Sequence, residues 1–276
     1  MAAHGQEWRE QGPQATTRDG DVAILTLDNP ARLNPISATL QASLLRAIAD
    51  VAADTSVRAL VLTGAGRAFC SGADLAGGIA TPDPQGRSPG NRAADAMHAV
   101  TNRMVLDLRA LPMPVVCAIN GVAAGGGLGL ALAGDVVLAA RSAYFYLPFM
   151  AKLGIVPDVG STWFYQRLLG SGRATALTLL GDRLPAEKAA AWGLVWDCVD
   201  DAELMPRALA TARQLATLPA HAALETRRAY DAAATSSLAD QLAYEAERQR
   251  VLIDKPEFAE GVAAFLAKRP PAFPPR

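Results

Sequence analysis

Residues 115–129, VVCAINGVAAGGGLG, constrain the fold of this chain more than any other stretch. A β-rich apolar run ending at Ile119 breaks into Gly125, Gly126 and Gly127, and an apolar run of helical character, residues 128–133, follows. Glycine permits close backbone approach and φ values closed to other residues. A helix starting there leaves its first N–H groups without intrahelical partners, at the positive end of its dipole. That geometry suits an anion, or a carbonyl oxygen that becomes one during reaction. A tight strand-to-helix turn in which glycine only relieves crowding accounts for the same residues.

Around this segment the hydrophobic pattern alternates between strand and helix. Residues 22–27, 57–63, 115–120 and 136–140 read as strands. Ser37 is placed to cap a helix in which Leu40, Leu44, Ile48 and Val51 recur at helical spacing. Strands interleaved with helices predict an α/β layer with much parallel pairing. Residues 77–91, GGIATPDPQGRSPGN, read as a mobile loop. Beyond residue 160 the pattern is helical at 162–169, 173–180, 186–191, 202–216, 220–234, 238–252 and 256–267, with one further strand at 194–199. Residues 1–20 are polar and read as a flexible leader.

Bulk properties narrow the function classes. The chain has 276 residues, enough for one large core, and 51% of them are hydrophobic. A formal charge of −1 provides no electrostatic footprint for nucleic acid or an anionic membrane. No apolar run is long enough for a membrane span or a signal peptide. Cys70, Cys117 and Cys198 show no CxxC spacing, and His4, His98 and His221 lie far apart, so neither a disulfide framework nor a metal site is expected. A cytoplasmic protein with reduced thiols fits these features. Gly86-Arg87-Ser88-Pro89-Gly90 matches G-x-S-x-G, but the serine lies in the Pro/Gly segment rather than on a strand-to-helix elbow. The glycines at 125, 126, 127 and 129 miss the dinucleotide spacing because position 130 is Leu.

A second small-residue segment, Gly64-Ala65-Gly66-Arg67-Ala68-Phe69-Cys70-Ser71-Gly72-Ala73-Asp74-Leu75, follows the strand at 57–63. Two strand ends that each leave such a loop can bring two N–H donors onto one oxygen. Taken with Asn120-Gly121-Val122-Ala123-Ala124-Gly125-Gly126-Gly127, it resembles the enoyl-CoA hydratase/isomerase (crotonase) superfamily, and the likeness runs over nearly the whole chain. The resemblance implies an α/β fold with a ββα spiral core over residues 21–200. It also implies a helical C-terminal trimerisation region over 201–276, assembled as a homotrimer or a dimer of trimers. The expected substrate is an acyl-CoA thioester, with no permanently bound cofactor because CoA arrives on the substrate. By the same resemblance the N–H groups of Ala73 and Gly126 hold the thioester oxygen.

Hydratases of this kind carry two glutamates, and alignment places Gly129 and Phe149 at those positions. Neither activates water or moves a proton. Asp158 remains. Flanked by Ile155, Val156, Val159 and Phe149, it would be desolvated and its pKa raised toward a useful acid–base range. It would equally serve as a helix cap, a task open to Ser161 or Thr162. The run Leu153-Gly154-Ile155-Val156-Pro157-Asp158 and the segments 181–187, 191–196 and 260–269 resemble one subgroup. Its members convert epoxyphenylacetyl-CoA to oxepin-CoA and shift double bonds in 3-enoyl-CoA esters, with an aspartate at this position as acid–base residue. The glycine triplet departs from the Gly-Ala-Gly of the nearest members. Leu147 and Phe149 would form an apolar face. Arg32 and Lys268, with Leu33, Asp74, Leu75, Gly129 and Phe265, match positions along the CoA path. A solvated arginine and a lysine at a helix C-terminus explain the two cations as well. An enoyl-CoA hydratase and a non-catalytic acyl-CoA-binding protein are the alternatives; a pure binder has no need of Asp158.

Overall fold

The computed structural model describes residues 14–75, 83–274 and 276. The expected leader is shorter than 1–20. Gln14–Asp19 is strand β1, paired antiparallel with β2, Val22–Leu27, from Gln14↔Leu27 to Asp19↔Val22; residues 1–13 lie outside the described residues. In β2 the fully buried alternating set is Ala23, Leu25 and Leu27, while Ile24 and Thr26 are half-buried.

After β2 the chain makes a short 3₁₀ turn, Pro30–Arg32, and enters helix α1, Ala38–Ala53. Ser37 caps α1 as expected, its Oγ accepting the Leu40 N–H at 3.2 Å. Leu40, Leu44, Ile48 and Val51 are buried, each contributing about 2 kcal/mol of apolar transfer.

Three times in succession a long buried strand then turns a tight corner into a three-residue strand of a second sheet. Strand β3 (Ala59–Gly64) leads to β4 (Ala68–Cys70), β5 (Val115–Ile119) to β6 (Val122–Ala124), and β7 (Val136–Ala140) to β8 (Tyr144–Tyr146). The first sheet has order β1-β2-β3-β5-β7-β10, where β10 is Asp197–Val199; the second has order β4-β6-β8-β9, where β9 is Arg183–Pro185. Every pairing is parallel except β1–β2 and β8–β9. Every residue of β3 and β5 is buried, as befits central parallel strands. The corner at Gly121 is possible only for glycine: a Cβ there would lie 2.1 Å from the Arg67 carbonyl oxygen.

Between β4 and β5 the expected loop is partly helical. Ser88 Oγ accepts the Asn91 N–H at 3.1 Å and caps α2, Pro89–Ala96, so its hydroxyl serves a helix end. A π-helical turn, Met97–Thr101, links α2 to α3, Asn102–Arg109. Of the rest of the predicted mobile loop, residues 83–88 are irregular up to the cap at Ser88, and 77–82 lie outside the described residues. Helix α4 is Gly126–Ala131, and the two helices predicted at 162–169 and 173–180 form one element, α5 (Ser161–Leu180), kinked at Gly170 with φ 75°. Then come α6 (Ala186–Ala191), α7 (Leu204–Ala216), α8 (Ala222–Ala233), α9 (Leu238–Ile253) and α10 (Pro256–Leu266). No helix among the described residues is long and apolar enough to cross a membrane.

One buried cation ties α8 to the core. Arg227 pairs with Asp135 through Nε (2.7 Å) and Nη2 (2.5 Å). It also donates to the carbonyls of Arg109 (2.8 Å), Leu111 (2.6 Å) and Met113 (3.0 Å). Removing one partner of a buried pair is costly because the other is left uncompensated. Arg227→Met is expected to lower unfolding free energy by about 3 kcal/mol in urea denaturation; a loss below about 0.5 kcal/mol would show that the clamp is dispensable.

Candidate active site

Two asparagine amides build the platform. Asn34 is fully buried with φ 54°, a left-handed conformation that Asn tolerates better than most residues. Its Nδ2 donates to the carbonyls of Ala65 (3.0 Å), Ala68 (2.8 Å) and Phe69 (3.2 Å), while its Oδ1 accepts the Asn29 N–H at 2.8 Å. From the glycine-rich segment, Asn120 Nδ2 donates to the carbonyls of Gly66 (2.8 Å) and Ala68 (3.2 Å), and its Oδ1 accepts from Gly64. Together they hold the corner between β3 and β4.

Beyond β4 the strand is held from the same side. Ser71 N donates to Leu33 O (3.0 Å), Ile36 N donates to Gly72 O (2.8 Å), and Ile36 bridges Ala73 in parallel. Gly72 packs directly on the glycine segment: a Cβ at Gly72 would lie 2.7 Å from Ala124 O and 3.2 Å from the Gly125 Cα. Ala73 and Gly126 each stand one residue beyond that contact. Ala73 is exposed and its N–H meets no acceptor among the described residues. Gly126 is the first residue of α4, where an N–H has no intrahelical partner.

Asp158 reaches this point from the other side. Asp158 to Ser161 form a turn closed by Ser161 N donating to Asp158 O at 2.9 Å, with positive φ at both central residues, Val159 (51°) and Gly160 (78°). Left-handed φ is strained for a β-branched valine, and neighbouring contacts must hold it there. One of them is at Gly129, where a Cβ would lie 1.9 Å from the Val159 carbonyl oxygen. Asp158 Oδ1 in turn lies 3.5 Å from where a Cβ on Gly126 would stand, beside Val159 Cγ2 and Ile36 Cδ1.

The Asp158 carboxyl is not a helix cap. The N-cap of α5 is Gly160, with no side-chain bond, and the influences on the Asp158 carboxyl are burial and its own backbone N–H, with no side-chain partner among them. Burial raises its pKa above the ordinary 3.8, partly offset by its own backbone N–H. The desolvating neighbours differ from those expected. Val159 and Phe149 are buried, whereas Ile155 and Val156 are 50% and 69% exposed. A cavity of about 460 Å³, lined by Val105, Trp163 and Phe164 with Asn102, Arg109 and Asp231, adjoins Val159 and Gly160, and the Phe164 and Val105 side chains pack against Gly160.

The remaining expected residues divide into two groups. Phe149 is buried, its ring Cζ 3.8 Å from where a Cβ on Gly125 would stand, and Leu147 is 2% exposed, so both are close-packed near the glycine segment. Leu33 ends the 3₁₀ turn in the left-handed conformation, and Leu75 is exposed. Arg32 and Asp74 form a two-point ion pair with each other, so Arg32 is not the free cation expected for a phosphate. Phe265 and Lys268 stand apart. Phe265 lines a separate cavity with Leu252, Phe258 and Phe273, and Lys268 lies just past α10, its N–H on Phe265 O at 3.2 Å. Sequence reasoning missed Asn34; its polarity, next to a strand that must turn a corner, was the available signal.

Residues 17–276 match the family model for enoyl-CoA hydratase/isomerase. The chain belongs to the enoyl-CoA hydratase/isomerase family. It is 44% identical over 252 residues to the 1,2-epoxyphenylacetyl-CoA isomerase of Escherichia coli K12, covering 91% of this chain and 94% of that protein. It is 39% identical, over the same shares, to a Rhodobacter capsulatus protein named a probable enoyl-CoA hydratase. Among solved structures it resembles enoyl-CoA hydratase subunit I of Geobacillus kaustophilus, with TM-score 0.86 and 32% identity over 96% of this chain and 99% of that one. The ββα spiral is therefore the crotonase fold, and the chain is an enzyme of a family acting on acyl-CoA thioesters.

The contact at Gly129 makes a sharp prediction. Gly129→Ala should displace the 158–161 turn, lowering thermal stability and acyl-CoA turnover together, and Gly129→Glu should be no better as a hydratase than the wild type. A Gly129→Ala protein with unaltered melting and turnover would show that the turn does not depend on this approach.

Proposed function

We propose that this enzyme is an acyl-CoA isomerase that runs on one carboxylate. The observation that carries the reading is the unpaired, desolvated Asp158 carboxyl beside Gly126, with glycine and phenylalanine where a hydratase would hold its two acids. The N–H groups of Ala73 and Gly126 would stabilise the enolate oxygen formed when a proton leaves the carbon next to the thioester carbonyl. Asp158 takes that proton and returns it further along the conjugated system. No atom is added or lost, so a second acid to activate water is unnecessary. Buried Leu147 and Phe149 keep the surroundings apolar and oppose capture of the intermediate by water.

For the substrate, the name of the 44% identical relative supports 1,2-epoxyphenylacetyl-CoA, whose isomerisation would give oxepin-CoA; the single-carboxylate chemistry extends the reading to 3-enoyl-CoA esters, converted to 2-enoyl-CoA. The same carbon acid is deprotonated in both. Three or six copies are the assembly we propose. The exposed apolar residues of the last two helices, Leu238, Phe265 and Leu266, support a C-terminal region that packs against other copies.

Asp158→Asn should cut 3-enoyl-CoA isomerisation by at least about 10³-fold, while hydration of a 2-enoyl-CoA stays slow in both proteins. Fast hydration that survives the substitution would sink the one-carboxylate reading. Because the base must be ionised, kcat should fall as pH drops through a value above 3.8. Stability runs the other way. A carboxyl whose folded pKa is raised destabilises the fold once ionised, above its unfolded pKa. Asp158→Asn should therefore raise the melting temperature at pH 7, and that gain should vanish on acidification below the unfolded pKa.

A further inference from the structure

The Arg32–Asp74 pair has a geometry that substrate contact alone does not explain. Nη1 donates to Oδ2 at 2.9 Å and Nη2 to Oδ1 at 2.7 Å, a parallel fork between residues 42 apart in sequence. The arginine side chain is 49% exposed, but the carboxylate is only 12% exposed and is tucked against the protein. Asp74 follows Ala73 directly, and Leu75 N donates back to Ala73 O at 3.0 Å, closing a tight turn around it. Arg32 belongs to the segment that supplies Asn34 and Ile36 to the preceding residues. The strand carrying Ala73 is thus gripped on its inner side by Asn34, Leu33 and Ile36, and just beyond the donor by Arg32.

We propose that Arg32 is a positioning residue, latching Asp74 so that the Ala73 N–H stays aimed at the thioester oxygen. This rests on the oxyanion reading given above. A planar fork fixes both the distance and the orientation of a carboxylate, which a lysine ammonium cannot do. An ion pair this open contributes little to global stability, so its loss should leave melting nearly unchanged. Misplacing a reacting group by a fraction of an ångström is far more costly to rate than to folding.

Arg32→Gln and Asp74→Asn should each lower kcat for 3-enoyl-CoA isomerisation by about tenfold to a hundredfold with KM within about twofold, and the double variant should be no worse than either single one. Arg32→Lys should not restore the rate. A rise in KM with kcat intact for Arg32→Gln overturns the proposal and makes the residue a contact for CoA phosphate. A second readout is independent of turnover: the thioester C=O stretch of crotonyl-CoA bound to the Asp158→Asn protein, by difference infrared spectroscopy. The band should shift to lower frequency on binding, and Arg32→Gln in the same background should remove most of that shift. An equal shift in both proteins overturns the latch alone. No shift in Asp158→Asn itself overturns the oxyanion reading and the latch with it.

Discussion

The carbonyl oxygen of Val159 fills the space in which any side chain at position 129 would stand. Much of the site depends on that contact. It seats the Asp158 turn against the start of α4, and it helps hold a buried valine at positive φ. It also excludes any side chain from position 129. The turn that carries Asp158 thus occupies the volume that any side chain at 129 would need. Strain of this kind persists only where surrounding structure over-determines it, and here a fully buried glycine helix on one side and the apolar wall of Val105 and Phe164 on the other do so.

The second sheet has a comparable role for the backbone at Ala73 and Gly126. Its strands are only three residues long, too short to contribute much core, yet the pairing of β4 with β6 fixes how the two corners meet. Cys70 lies opposite Ala123, and from that register Gly72 falls on Ala124 and Gly125. Ala73 and Gly126 each stand one residue beyond that contact. A site made of backbone groups is then as rigid as the corners that carry it, and the amides of Asn34 and Asn120 keep those corners from relaxing.

What sequence reasoning reaches here depends on the range of the interaction. Helix α1 is legible because its cap and buried stripe, Ser37 with Leu40, Leu44, Ile48 and Val51, are local and periodic. Strands β4, β6, β8 and β9 are not, because three residues contain no period, and α2 begins inside a Pro/Gly segment that reads as a loop. The pairing of Arg32 with Asp74 is invisible for a different reason. Each charge is plain in the sequence, but the partner lies 42 residues away and is chosen by the fold. Asp158 falls between these cases. Its apolar setting is local, but two of the four neighbours expected to bury it face outward, and only the fold reveals that a glycine in left-handed conformation starts α5 and frees the carboxyl from capping.

That freedom has an energetic meaning. A carboxylate at a helix start ordinarily gains hydrogen bonds from the exposed N–H groups, which stabilise the charge and depress the pKa. Asp158 forgoes them: the turn spends the Ser161 N–H on the Asp158 backbone carbonyl, and the side chain is left with burial as its dominant influence. The charged form is therefore the less comfortable one in the resting protein. On the proposed mechanism, a base held in that condition takes up a proton readily from a carbon acid whose carbonyl oxygen the Ala73 and Gly126 N–H groups would hold. Because burial disfavours the anion relative to the neutral acid, the same desolvation would favour the proposed intermediate in which Asp158 holds the proton. On that mechanism the burial that costs stability at neutral pH would also lower the barrier to proton transfer, at the one group proposed to change charge.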